Sequence, residues 1–271
     1  VMVKAYDDAE GEINIMVTGH QWKWHYKYLE DDISFFSNLS TDQEQIYGEM
    51  PKGEFYLKEV DEPLVIPINK RIRFLITGND VIHSWWVPDF AVKQDAIPGF
   101  INTAWTNVPE PGIYRGNCTE LCGIRHAFMP VVVRAVEQEE YDAWVAERVM
   151  LAEQEKLLTS KEWTTEELFE RGESFYQTNC VACHQVNGQG IPPVFPALTG
   201  SQIVLNDAPR QIEILMEGVQ GAAMASYAGY SEVDIAAVIT YTRQAWSNGE
   251  NGDGVIVTPQ DIVAYKNKTE L

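Results

Sequence analysis

The chain has 271 residues, 45% of them hydrophobic and 22% charged, a globular composition with room for two domains of ordinary size. Its formal net charge of −20 repels DNA phosphates and anionic lipid, which argues against nucleic acid as a partner; the charge serves solubility or steers a basic partner. No stretch is long and apolar enough to span a bilayer and no secretory segment is present, and the Val-Met-Val opening reads as a fragment whose natural N-terminus lies upstream.

Up to about Val136 the chain reads as strands. In GEINIMVTGHQWKWHYKYLE, Ile13, Ile15 and Val17 share one face, and after Gly19 the bulky set moves to Trp22, Trp24, Tyr26 and Tyr28. That change of phase predicts a bulge near Gly19. EFYLKEV, PLVIPINKRIRFLITG, TAWTNVPEPGIYRG and PVVVRAV continue the pattern, punctuated by Pro and Gly. Short strands with such turns predict a sandwich or small barrel. His20 and His25 sit among aromatics without a motif and read as structural.

From Glu137 the character changes. Tyr141, Trp144, Val145 and Val149 recur at helical spacing behind an acidic start, which predicts a linker helix packed on the barrel. With neither Gly nor Pro, it reads as a semi-rigid spacer. Thr164 and Glu167 form a capping box ahead of a helix that leads into Cys180. PRQIEILMEG reads as a short helix with Pro209 in its first turn and Gly218 at its end. Ser231 caps a final amphipathic helix. The second half is therefore helical, with a boundary near residues 150–162.

The four cysteines fall in two tight pairs, each followed closely by a histidine that a disulfide does not need. Cys180, Cys183 and His184 spell C-x-x-C-H, the signature of covalent haem c attachment. Two thiols add to the haem vinyl groups, and the adjacent His184 meets the iron from one side. A zinc site would want further ligands that this half lacks. The sixth position calls for a Met, which raises the potential. Met216 sits beside Ile212 and Leu215 in the predicted helix and reads as core, whereas Met224 lies in the small-residue loop QGAAMASYAG; Met224 is the favoured ligand.

GNCTELCGIRHAFMP, residues 116–130, brings together Cys118, Cys122, His126 and Met129, and His83 in NDVIHSWWVP precedes it. Two thiolates, two imidazoles and a thioether select copper over magnesium or calcium. Thiolates with three residues between them can each bridge two metal ions, leaving one His per metal with Met129 and a backbone carbonyl as weak outer ligands. The set fits a dinuclear copper centre.

With these residues in place, His83 and CTELCGIRHAFM resemble the copper A motif of cytochrome c oxidase subunit II. GHQWKWHY resembles that family's aromatic strand, VIHSWWVP its first ligand segment and VKQDAIPG the loop between ligand segments, so the likeness covers about residues 12–145. The C-terminal half resembles the class I cytochrome c fused to this subunit in some bacterial haem–copper oxidases. GIPPVFPALTG resembles the loop along the haem edge, where Pro193 would buttress His184.

The resemblance implies copper ligation by His83, Cys118, Cys122, His126, Met129 and the main-chain oxygen of Glu120, whose carboxylate would also turn to a magnesium or manganese ion shared with subunit I. Trp22 matches the aromatic residue that receives electrons from soluble cytochrome c. Lys23, where many relatives have an aromatic, is a departure, and Trp22 reads equally as a core residue. Lys93 and Asp95 match positions facing subunit I and read equally as a surface pair.

The expected architecture is an all-β cupredoxin-like Greek-key barrel over residues 1–136, a helical linker over 137–160 and an all-α class I cytochrome c domain over 161–271. The expected function is that of the subunit through which electrons enter a respiratory cytochrome c oxidase. A cytochrome c or a quinol:cytochrome c reductase is the donor, covalent haem c and the copper pair carry the electrons, and a haem in subunit I, where dioxygen is reduced, receives them. The family begins with two membrane helices, absent from this sequence, so the expected location is the periplasmic, outer face of the bacterial cytoplasmic membrane. The same conduit serving a nitric oxide reductase is the nearest alternative. A copper storage or delivery protein is the alternative of another class, and it has no need of a covalent haem. Five histidines are too few for the propeller of nitrous oxide reductase.

Overall fold

A computed structural model of the chain describes residues 11–31, 33–219, 224 and 226–269. The chain folds as two compact units, Val1–Met150 and Leu151–Leu271. None of the helices among the described residues is long and apolar enough to cross a membrane.

The first unit is built on β1 (Ile13–His20), β2 (Lys23–Tyr28), β3 (Ile33–Ser37), β4 (Leu64–Pro67), β5 (Ile72–Gly78), β6 (His83–Val87), β7 (Val92–Ala96), β8 (Asn102–Thr106), β9 (Gly112–Cys118) and β10 (Pro130–Val136). They form two five-stranded sheets, ordered β3-β2-β1-β5-β8 and β4-β10-β9-β6-β7. Pairing is antiparallel except for β1 with β5 and β10 with β4. Each sheet turns one set of alternate side chains to a shared core: Ile15, Val17, Trp24, Tyr26, Phe74 and Ile76 from one, and Leu64, Ile66, Trp85, Val87, Val131 and Val133 from the other. Two aromatic tips find partners within it. The Trp85 indole donates to the Tyr26 hydroxyl at 3.3 Å, and the Tyr28 hydroxyl donates to the Val65 carbonyl at 2.6 Å. The domain is the cupredoxin-like fold that the sequence led us to expect.

Two expectations about strands fail. The change of phase at Gly19 is a chain reversal, not a bulge: β1 ends at His20, and β2 returns antiparallel with His20 opposite Lys23. A tight hairpin shifts the apolar alternation as a bulge does, so the pattern alone did not separate them. EFYLKEV forms turns, with only an isolated bridge between Leu39 and Val60. Its apolar residues serve a loop tied down from outside: Arg115 pairs with Glu59 and lies over the Phe55 ring, 3.8 Å from its centroid. A short helix, α1 (Gln43–Tyr47), stands in the same loop.

Helix α2 (Gln138–Ser160) begins in the first unit and ends in the second. Its first half buries Tyr141 and Trp144, the latter 5.1 Å from the Tyr28 ring and 6.2 Å from Phe35. Val145 packs against the same core, but Val149 is 40% exposed and plays no part in it. By then the helix has run past the edge of the apolar surface, and Arg148, paired with Glu62, marks the limit.

The second unit is helical: α3 (Thr165–Asn179), α4 (Val181–His184), α5 (Gln202–Asn206), α6 (Ala208–Glu217), α7 (Glu232–Gln244), α8 (Asn248–Asn251) and α9 (Pro259–Thr269). The capping box of Thr164 with Glu167 and the caps at Ser231 and Gly218 form as the sequence indicates. Helices α3 and α7 cross closely at Gly172, where an added Cβ would lie 2.0 Å from the Ala237 carbonyl oxygen. Phe175, Tyr176, Ile212, Leu215, Met216 and Ile239 share the core.

Candidate metal centre and haem site

One end of the first domain gathers the soft donors. His83 opens β6, Cys118 closes β9 and Met129 precedes β10. The cysteine loop is closed at its base, where the Cys118 amide donates to the Met129 carbonyl at 2.9 Å. Strand ends thus hold three of the donors, and the loop between Cys118 and Met129 supplies Cys122 and His126. The two thiol sulfurs stand 3.8 Å apart, with His83 Nδ1 4.0 Å from Cys118 Sγ and His126 Nδ1 3.5 Å from Cys122 Sγ. The Glu120 carbonyl accepts from the Cys118 thiol at 3.4 Å. Met129 is 1% exposed, whereas the Glu120 side chain is exposed. His83, Cys118 and Cys122 are buried and present ligand atoms within 4.8 Å of one another.

Hydrogen bonding between the thiols makes Cys118 the one that ionises readily, against the opposing effect of burial, and His83 adds to the shift. The proton that remains is held by Cys122, whose thiol is pushed far up by Cys118 and by burial. Such a pair gives up its first proton easily, which suits a site that binds metal as thiolate.

The residues around the donors were not evident from the sequence. Asp80 Oδ1 lies 2.8 Å from His83 Nε2. An ionised carboxylate only accepts, so Nε2 carries a proton, and Nδ1 is the nitrogen turned to the Cys118 sulfur. Burial opposes charge on both partners, yet their contact raises the His83 pKa and lowers that of Asp80. Asp80 Oδ2 also accepts from the Gln21 amide at 2.7 Å. The Gln21 side chain and the Trp22 indole both donate to the Cys122 carbonyl, at 2.8 and 3.0 Å. The sequence signal for Asp80 was its position three residues before a ligand-type histidine. Two glycines make the packing feasible. A Cβ on Gly19 would meet the His83 ring at 2.7 Å, and one on Gly123, at φ +114°, would meet the Trp22 ring at 2.9 Å.

Trp22 is half-buried and packs against the barrel core as well as touching the Cys122 carbonyl. Lys93 and Asp95 are exposed on β7. His20 and His25 share a ring contact, with centroids 6.3 Å apart, and are held well below the usual imidazole range, at about 3 and about 4, chiefly by burial and then by Lys23.

In the second domain Cys180 caps α3, and the His184 amide donates to its carbonyl at 2.9 Å. Cys183 and His184 occupy the single turn α4. His184 Nδ1 is 3.0 Å from the Pro196 carbonyl, an acceptor only, so the proton sits on Nδ1 and Nε2 is free. The buttress is therefore Pro196 and not Pro193, which is exposed. The turn from Gly188 to Phe195 carries the chain three residues further before it passes the imidazole, and residue spacing does not reveal that. Burial lowers the His184 pKa, and the Pro196 contact only partly offsets it, so the imidazole is neutral, as a metal ligand requires. Met216 is buried in the core, whereas Met224 is half-buried at its edge. The chain just after Met224 is fixed to the residue before Cys180: the Tyr227 and Tyr230 hydroxyls donate to the main-chain oxygen and Oδ1 of Asn179, at 3.1 and 2.7 Å.

The sequence model of the cytochrome c oxidase subunit II periplasmic domain matches residues 13–136, and that of cytochrome c matches residues 169–246. A probable cytochrome c oxidase subunit 2 from Rickettsia bellii (strain RML369-C) is 44% identical over 144 residues, 53% of this chain and 52% of the relative. Cytochrome c oxidase subunit 2 of Cereibacter sphaeroides is 39% identical over 159 residues, 54% of this chain and 52% of the relative. The periplasmic domain of subunit II of cytochrome oxidase (CoxB) from Bradyrhizobium japonicum is 38% identical, over 52% of this chain and 95% of that one, with a TM-score of 0.47.

Over residues 13–136 the chain belongs to the cytochrome c oxidase subunit II family.

It spans about half the length of the curated relatives it matches. The relatives are named as parts of an oxidoreductase, and the two families imply copper A in the first domain and haem in the second. The donor sets fit both groups. Two thiols face each other between two imidazole Nδ1 atoms, and a second pair, Cys180 and Cys183, precedes an imidazole whose Nδ1 is held by a carbonyl and whose Nε2 is turned away from it.

Proposed function

We propose that this chain is the subunit through which electrons enter a respiratory cytochrome c oxidase. It takes them from an external cytochrome c or a quinol:cytochrome c reductase and hands them to a membrane-embedded subunit I, where dioxygen is reduced. It works at the periplasmic face of the membrane. The observation that carries the reading is the thiol pair, 3.8 Å apart with an imidazole nitrogen on either side, in one chain with C-x-x-C-H. A storage or delivery protein has use for the first and none for the second.

The assigned copper ligands are His83, Cys118, Cys122, His126, Met129 and the Glu120 main-chain oxygen. Cys180 and Cys183 bind haem c covalently, with His184 and Met224 as the axial pair. The exposed Glu120 carboxylate takes a magnesium or manganese ion at the boundary with subunit I. Bound copper and haem supply one-electron redox chemistry with no proton or atom transferred. The protein's part is to hold the ligands still. Three of the copper donors hang on strand ends, and both first-ligand imidazoles have their outer nitrogen committed, so little has to reorganise when charge changes. Electrons from the external donor pass by way of haem c to the copper pair, and Trp22, touching the Cys122 carbonyl, is the alternative point of entry.

The test is to load the full chain with copper and attach haem in a cytochrome-maturing host. Electron paramagnetic resonance is expected to show hyperfine structure from two equivalent copper nuclei, and reduced cytochrome c is expected to reduce the loaded chain in a second-order reaction that weakens with salt. A four-line single-copper spectrum, or zinc in place of copper, rejects the assignment.

A further inference from the structure

Asp80 has three donors on one carboxylate. Oδ1 receives His83 Nε2 at 2.8 Å and the Val81 amide at 2.7 Å, while Oδ2 receives the Gln21 amide at 2.7 Å. The Asp80 side chain is 17% exposed and that of His83 fully buried. The Gln21 amide belongs to the turn between β1 and β2, the turn that carries Trp22. From that turn the Gln21 side chain and the Trp22 indole both reach the Cys122 carbonyl. A closed circuit results: Asp80 to His83 on one side, Asp80 to the turn on the other, and the turn back to the cysteine loop.

We infer that Asp80 is a positioning residue that sets, through one carboxylate, both the tautomer of His83 and the seat of the Trp22 turn against Cys122. Its charge and its two equivalent oxygens are both required. Asparagine offers one acceptor oxygen, and whichever way its amide turns, its NH2 meets a donor: the Gln21 amide on one side, or the Val81 amide and His83 Nε2 on the other. Such a mismatch either breaks the tie to the turn or drives the imidazole proton to Nδ1, the nitrogen that the metal needs. A ligand histidine whose outer nitrogen donates to a carboxylate is held in one orientation and is the more basic for it. Asp80 goes further, because the group it shares that bond with is the backbone under a tryptophan. The inference rests on the reading of His83 as a copper ligand for its effect on metal binding, though not for the clamp itself.

The two parts are tested separately on the full chain. In metal-free protein labelled with 15N-histidine, long-range nitrogen–proton NMR is expected to show His83 as the Nε2–H tautomer. Asp80→Asn is expected to mix the tautomers and to move the indole N–H signal of Trp22. Gln21→Ala removes only the side-chain bond to Cys122, so it is expected to move the Trp22 signal and leave the His83 tautomer fixed. In copper competition against a chelator, Asp80→Asn is expected to weaken binding on the order of 10–100-fold, with the reduction potential of the remaining copper shifted. Wild-type His83 found as the Nδ1–H tautomer overturns the inference, and that measurement does not depend on any variant folding. So does an Asp80→Asn protein with unchanged tautomer, indole signal and copper affinity. Wild-type protein that fixes the Nε2–H tautomer but takes up no copper upholds the clamp and rejects the metal-site reading.

Discussion

The two methionines of the second domain separate packing from ligation. Met216 is 7% exposed, on α6, among the core residues Ile212 and Leu215. Truncating such a side chain to alanine costs about 2–5 kcal/mol, enough to confuse loss of ligation with loss of fold. Leucine conserves the volume and costs under about 1.5 kcal/mol. Met224 is half-buried at the edge of the same core, so Met224→Leu is expected to cost no more than about 1 kcal/mol by area while removing the only atom that matters to iron. Each variant is made with haem attached and measured twice, by thermal unfolding and by ferric absorption in the near infrared, where a sulfur-to-iron charge-transfer band reports a Met ligand. Met216→Leu is expected to keep the band. Met224→Leu is expected to lose it with the fold intact, and its potential is expected to fall, since a Met ligand raises it. Loss of the band in Met216→Leu with its retention in Met224→Leu would refute the assignment and the use of burial to distinguish a ligand from a core residue.

Three further outcomes follow from the structure. Met129→Leu is expected to retain both coppers with a changed potential, because a weak axial thioether tunes a centre more than it holds it; Cys118→Ser or Cys122→Ser is expected to abolish the two-nucleus hyperfine pattern, and complete copper loss in Met129→Leu would contradict that ranking. Gly172→Ala places a Cβ 2.0 Å from the Ala237 carbonyl oxygen, so the second domain is expected to lose about 1–3 kcal/mol despite alanine's better helix propensity, read as a lower melting temperature of that domain alone. His25, held at about 4 chiefly by burial and then by Lys23 and Lys27, stays neutral in the fold while its unfolded counterpart gains a proton below about 6.5. Stability is therefore lost as pH falls from 6.5 toward 4, about 2 kcal/mol of it by pH 5. His25→Gln is expected to lose correspondingly less between pH 7 and 5 in urea titrations of the first domain, and parallel curves would disprove the assigned burial.

What could be read from the sequence had local cause. The C-x-x-C-H turn, the capping box at Thr164 and the cap at Ser231 are short-range geometry, fixed by residues three or four apart, and all three form. The copper-type donors in the 116–130 loop are likewise local, and His83 was added because its chemistry matched. The missed features depend on contacts distant in sequence. Asp80 meets the Gln21 amide across 59 residues, and Gln21 meets Cys122 across 101. Nothing in either segment's own pattern encodes such a meeting. The hairpin at Gly19 was misread because alternation reports faces and not direction. The expectation for Pro193 fails because a run of prolines says that a loop passes the haem side without saying which carbonyl stops at the imidazole.

Both assigned first ligands meet the same problem with partners of different charge. His83 and His184 are each desolvated, and burial alone lowers an imidazole's pKa. At His184 burial wins, since the Pro196 carbonyl is a dipole without net charge. At His83 burial loses, since Asp80 brings a full negative charge to 2.8 Å and the Cys118 thiol stands on the other side. Either partner fixes the tautomer, so tautomer control alone does not account for a carboxylate at the copper end. The carboxylate has a second oxygen, and there it is spent on the backbone of the Trp22 turn. A carbonyl in that place would orient the imidazole equally well and leave the turn to find its own hold on the cysteine loop.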